Sequence, residues 1–159
     1  MKTTKYYFAY GMNTNMQQMA YRCPNAEAIG KVTLRGYKFV FRGVADAYYT
    51  GNPLDTIEGC VWEITDECEY ALDLLEGYPT FYTKASEWVL INNQDQELML
   101  YTMTKKSQGK YADPSKHYWE MLWQGYEQFG INHRQMFEGL PAISKYRKLN
   151  KSQLTFNNN

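Results

Sequence analysis

The feature that most constrains this chain is a short helix set among strand-like segments. Thr65 or Asp66 can cap it, and Ala71, Leu72 and Leu75 supply its apolar stripe. The run Leu72-Asp73-Leu74-Leu75-Glu76-Gly77-Tyr78-Pro79 then closes it, with Gly77 past the last turn and Pro79 unable to continue. The last helical residue is Glu76. A carboxylate there meets the negative pole of the helix, and one turn after Leu72 it projects toward the apolar stripe. Both effects disfavour its charged form, so the sequence predicts a raised pKa and a candidate general base. Taken alone, the pattern also fits a surface carboxylate at a fraying helix end.

The flanking segments set the fold class. Lys5 to Tyr10 reads as a strand entering a turn at Gly11, and Asn13 or Thr14 can cap a helix through Met19 that stops before Pro24. Such a turn aims backbone N–H groups at an anion, although it is also an ordinary connection. Ala26 to Leu34 forms the next segment. Tyr37 to Phe41 alternates as a strand with Tyr37, Phe39 and Phe41 on one face, Gly43 to Pro53 reads as a connecting loop, and Glu58 to Ile64 is a strand feeding the helix. Glu87 to Ile91 and Leu98 to Met103 make a hairpin around a polar run. Asp113-Pro114 opens a long helix ending at Gly130, in which Tyr118, Met121, Leu122, Tyr126 and Phe129 recur at core spacing. A short helix over 133–140 follows. The sum is one α+β domain, a small mixed β-barrel or strongly curved sheet flanked by helices, over residues 1–145, with residues 146–159 as a solvated basic and Asn-rich tail.

Charge and cysteine content narrow the function. Lys plus Arg and Asp plus Glu balance at 17 each, so no net field recruits nucleic acid or an anionic membrane. No apolar run is long enough to span a bilayer, and the N-terminus lacks a signal-like segment; both point to a cytoplasmic protein. Cys23, Cys60 and Cys68 read as reduced, buried thiols, and His117 and His133 lack the neighbours a metal site needs. The sequence therefore predicts no metal, and leaves the oligomeric state open.

Two separated motifs become informative together. Tyr7-Phe8-Ala9-Tyr10-Gly11-Met12-Asn13 resembles the substrate-loop motif Tyr-Phe-Ala-Tyr-Gly-Ser-Asn of the γ-glutamylcyclotransferase-like family. Glu58 to Trp62, Leu72 to Tyr78, Phe81-Tyr82 and the strand carrying Tyr101 are similar to its later blocks, in the same order. The resemblance implies a small barrel with a pocket where the first loop and a glutamate meet. It also implies cofactor-free cyclisation of a γ-glutamyl amino acid or amine to 5-oxoproline. By that resemblance Glu76 is the catalytic acid/base, Tyr7, Phe8, Ala9, Tyr10, Gly11, Met12 and Asn13 hold the glutamyl portion, and Tyr101 lines the pocket; Tyr82 can close it. Met12 replaces the family's serine and removes a hydroxyl. A pocket that binds a small molecule without turnover is the alternative that this replacement suggests.

Overall fold

A computed structural model describes residues 4–148 of the 159. Seven strands are present there: β1 (Thr4–Ala9), β2 (Glu27–Arg35), β3 (Tyr37–Phe41), β4 (Ala45–Tyr49), β5 (Thr56–Thr65), β6 (Tyr82–Ile91) and β7 (Gln94–Met103). The helices are α1 (Met16–Arg22), α2 (Asp66–Glu76), α3 (Lys116–Phe129) and α4 (Arg134–Glu138), with 3-10 turns at Met12–Thr14 and Lys145–Lys148. Five strands form one mixed sheet in the order β2-β5-β1-β7-β6, in which only β1 and β7 run parallel.

The sheet is open, and this corrects the barrel reading. β3 and β4 pair only with each other. At β4 the side chain of Asp46 reaches across to β7, where its Oδ1 accepts the Met103 N–H at 2.8 Å, so a carboxylate satisfies a donor that another strand would satisfy in a closed barrel. Asp46 also explains why 43–53 reads as a loop in sequence yet contains a strand. A charge interrupts the apolar pattern, but the residue is fully buried, bonded to Arg42 Nε at 3.0 Å and to the Ala47 N–H at 2.9 Å.

Strand alternation divides the core between the two faces of the sheet. Phe8 of β1 with Tyr10 just beyond it, Val61 of β5 and Leu98 and Leu100 of β7 share one cluster with Trp119, Leu122 and Tyr126 of α3. Tyr7 and Ala9, with Cys60, Trp62 and Ile64, share the other with Met19 of α1 and Leu72 of α2. The central strands therefore look apolar throughout in sequence, because both faces are covered.

Local expectations meet several corrections. α1 is capped by Asn15, whose Oδ1 accepts from Gln17 and Gln18 N–H, whereas residues 12–14 form the 3-10 turn; Asn13 and Thr14 are not the cap. In the β6–β7 hairpin only Asn92 and Asn93 remain as the turn, both left-handed (φ 52 and 65), because Gln94–Glu97 continues the strand. Cys23 and Cys68 are joined as a disulfide, so only Cys60 is a free thiol, and this corrects the reading of three reduced thiols. Tyr146, assigned to the tail, is buried: its ring stacks on Trp119 at 4.4 Å and its hydroxyl donates to Pro114 O at 2.9 Å. The remainder of the proposed tail, residues 149–159, lies outside the described residues. Among the described residues no helix is long and apolar enough to cross a membrane.

Candidate active site

β1 ends beneath the C-terminus of α2, and a cavity of about 280 Å³ opens between them. α2 begins where Thr65 Oγ1 accepts the Cys68 N–H and ends at Gly77 in the left-handed conformation, which places Glu76 at the cavity wall. Of the residues singled out in sequence, Glu76, Tyr7, Phe8, Tyr10, Gly11, Met12, Asn13, Tyr82 and Tyr101 line the cavity. Ala9 does not; its short side chain is buried in the cluster that holds Met19 and Leu72. The wall also takes Arg22, Val44, Ala45, Leu75, Phe81 and Tyr118, none of which the sequence marks as functional.

The turn after β1 is held by several side chains. Because Asn15 caps α1, Asn13 is free to point inward, where it is almost wholly buried. Its Oδ1 accepts from Arg22 Nη1, which fixes the amide so that Nδ2 donates to the Tyr7 hydroxyl at 3.0 Å. Trp62 Nε1 donates to Asn13 O at 2.9 Å, and Asn15 Nδ2 donates to Met121 O and Gln124 Oε1 at 3.0 Å each. A Cβ at position 11 would lie 3.0 Å from the Tyr118 hydroxyl, so glycine is what allows this close approach.

The cavity has two charged lining residues of opposite sign. Burial pushes Glu76 up to about 7, and the Arg22 guanidinium opposes part of that rise. Burial rather than the helix pole is thus the main cause. Among the described residues, neither Glu76 nor Arg22 has an ion-pair partner within 4 Å. Lys84, just past Tyr82, is instead committed to Asp73 at 2.9 Å and Glu69 at 3.1 Å.

The hydroxyl protons of the five lining tyrosines can be followed individually. Tyr10 donates to Tyr101 O at 2.5 Å, Tyr82 to Ala45 O at 2.7 Å, and Tyr101 to Asp73 Oδ1 at 2.5 Å. Tyr7 and Tyr118 instead accept, from Asn13 Nδ2 and from the Ala45 N–H at 3.0 Å. Their protons remain available to a molecule in the cavity. Burial raises the Tyr118 hydroxyl to about 12, opposed by the Ala45 and Met12 backbone amides, so it stays a neutral donor at physiological pH. Among the described residues no group of three or more His, Cys, Asp or Glu side chains is placed to hold a metal ion.

An open mixed sheet flanked by helices, with a small cavity at the end of its central strand, defines an α+β domain. The chain belongs to the γ-glutamyl cyclotransferase, AIG2-like family, whose model matches residues 7–121. Its fold is that of a solved γ-glutamyl cyclotransferase, with a TM-score of 0.73, 21% identity and coverage of 90% of this chain and 92% of the other. A human protein of uncharacterised function is similar over 98% of this chain and 99% of its own length, at 20% identity and a TM-score of 0.72. The Bacillus subtilis protein YkqA matches at 22% identity and a TM-score of 0.69, over 88% of this chain and 56% of its own. A search of curated protein sequences returned no match.

Proposed function

We propose that this chain is a γ-glutamyl cyclotransferase that converts a γ-glutamyl amino acid or amine to 5-oxoproline and releases the amine. The observation that carries the reading is the presence of Glu76 and Arg22 in one cavity, opposite in charge and, among the described residues, without ion-pair partners of their own. A γ-glutamyl group ends in an α-ammonium and an α-carboxylate, and it supplies the two missing counter-charges. Arg22 takes the carboxylate, which a planar guanidinium suits, and Glu76 takes the ammonium.

The substrate carries its own nucleophile. Its α-nitrogen attacks its δ-carbonyl carbon once the chain is folded for five-membered ring closure, which is a task of positioning. A C–N bond forms in the ring and the C–N bond to the departing amine breaks. The α-ammonium loses two protons in becoming the ring amide, and the leaving nitrogen gains two. Glu76 carries them in turn and ends unchanged, and a pKa near neutrality suits both directions of transfer. The free hydroxyl protons of Tyr7 and Tyr118 serve the oxygen on which negative charge develops. No cofactor enters these steps.

Incubation of the protein with a panel of γ-glutamyl amino acids and amines, read by mass spectrometry for 5-oxoproline, tests the proposal. Product from the wild type and its loss in Glu76→Gln are expected; no product from any member, or normal turnover in the variant, refutes it. The second reading, binding without turnover, draws on Met12 in the cavity wall. It predicts a γ-glutamyl compound that binds and is recovered unchanged after long incubation.

A further inference from the structure

The cavity changes character from floor to mouth. Asn13 and Tyr101 on the floor are 3% and 2% exposed, whereas Leu75 and Phe81 are 48% and 43% exposed. Met12 and Val44 lie between these extremes. We propose that the group released from the γ-glutamyl moiety is an apolar amine, aliphatic or aromatic, that carries no charge beyond its reacting nitrogen. This proposal rests on the cyclotransferase reading above.

Three observations support it. The exposed apolar side chains of Leu75 and Phe81 converge on one opening with Met12 and Val44, whereas single exposed apolar residues scattered on a surface carry no such meaning. The replacement of serine by Met12 extends that apolar wall, which gives the departure from the family motif a use. The second observation is electrostatic. Among the described residues Glu76 and Arg22 are the only charged ones in the lining, and on the cyclotransferase reading the glutamyl head uses both. A departing amino acid would add a second carboxylate, and Lys84, the cation just past Tyr82, is already neutralised by Glu69 and Asp73. A departing diamine would bring a second cation with no carboxylate left to meet it. Either charge would be partly desolvated beside Leu75 and Phe81, with no counter-charge left among the described lining residues. The third is size, because about 280 Å³ is at the lower end for small-molecule sites, so the amine must complete its burial against the rim rather than in a separate chamber.

Matched substrate pairs test this directly: γ-glutamyl-isopentylamine against γ-glutamyl-leucine, and γ-glutamyl-phenethylamine against γ-glutamyl-phenylalanine, with γ-glutamyl-cadaverine as the cationic member. Each uncharged amine is expected to exceed its carboxylate-bearing partner, and the cadaverine compound, at least tenfold in kcat/KM. Phe81→Ser and Leu75→Ser, made separately at half-exposed positions, should each lower the ratio of phenethylamine to methylamine derivatives about tenfold. Equal or better turnover of the amino-acid members, or an unchanged ratio in both variants, overturns the apolar-amine inference alone. No 5-oxoproline from any member overturns the cyclotransferase reading and this inference with it.

Discussion

Replacing Glu76 by glutamine separates stability from activity in a way that only a buried carboxyl can. In the folded protein the group is raised from its ordinary value of 4.5 to about 7, chiefly by burial. Below pH 4.5 it is protonated in both the folded and unfolded chains and contributes no pH-dependent difference. Between 4.5 and 7 the unfolded chain has released its proton while the folded chain still holds it, so stability falls as pH rises; above 7 the full penalty for burying the charge is present. A displacement of this size corresponds to about 3 kcal/mol, which partial solvent access reduces to about 2 kcal/mol. Glutamine keeps the shape without the charge. Urea unfolding of both proteins at pH 5, 6, 7 and 8, with the disulfide left oxidised, should therefore give a gap of less than about 1 kcal/mol at pH 5. It should widen in favour of the variant to about 2–3 kcal/mol at pH 8, equivalent to about 4–12 °C in Tm. Titration of the other carboxylates is common to both and cancels. A gap that does not change with pH, or a variant less stable at pH 8, refutes the assignment of Glu76 as a carboxyl destabilised by burial, whatever the protein catalyses.

Arg22→Gln removes the cation that opposes the rise of Glu76, so the rising limb of kcat/KM against pH should move above about 7, and KM for γ-glutamyl substrates should increase by tenfold or more; an unmoved limb would show that Arg22 does not act on Glu76. Tyr118→Phe deletes a free hydroxyl donor and is expected to lower kcat about 10²-fold, whereas Tyr82→Phe, whose proton is already held by Ala45 O, should mainly lower Tm; equal kcat losses would contradict the proton accounting. Alkylation of unreduced, denatured protein should label one cysteine of three, and reduction should cost about 2–4 kcal/mol of stability by urea unfolding; three labels without reductant would exclude the Cys23–Cys68 bond.

The fold was legible wherever a local pattern had one physical cause. α2 is capped and terminated where Thr65 and Gly77 predict, and α3 ends at Gly130 as its pattern requires, although it begins two residues beyond Pro114 with Ser115 as cap. The hairpin pairs Tyr82–Ile91 with Gln94–Met103 because alternation runs through the polar residues as well as the apolar ones. Legibility failed where a polar group is paid for by partners distant in sequence. Asp46 looks like a loop residue until Met103, 57 residues away, supplies the N–H that its carboxylate accepts. The disulfide hid for the same reason, since 45 residues separate Cys23 from Cys68 and no spacing rule connects them.

The candidate site divides along the same line. Glu76 and the Tyr7–Asn13 segment announce themselves by helix position and by motif, but Arg22 and Tyr118 enter through long-range geometry. Arg22 is the last residue of α1 and reads as an ordinary cation complementing the C-terminal pole of a helix. Its inward role depends on Asn13 being released from capping, which Asn15 accomplishes at the opposite end of α1. Tyr118 belongs to the apolar stripe of α3 and packs against the core as that stripe predicts, yet its hydroxyl reaches past Phe41 to Ala45 and the cavity. An amphipathic ring can satisfy a core pattern with its body and a site with its tip. Periodicity records only the body. The hydroxyls at the tips can be sorted only after their partners are known, which is why hydrogen-bond direction, rather than residue type, separates Tyr7 and Tyr118 from the other three tyrosines of the wall.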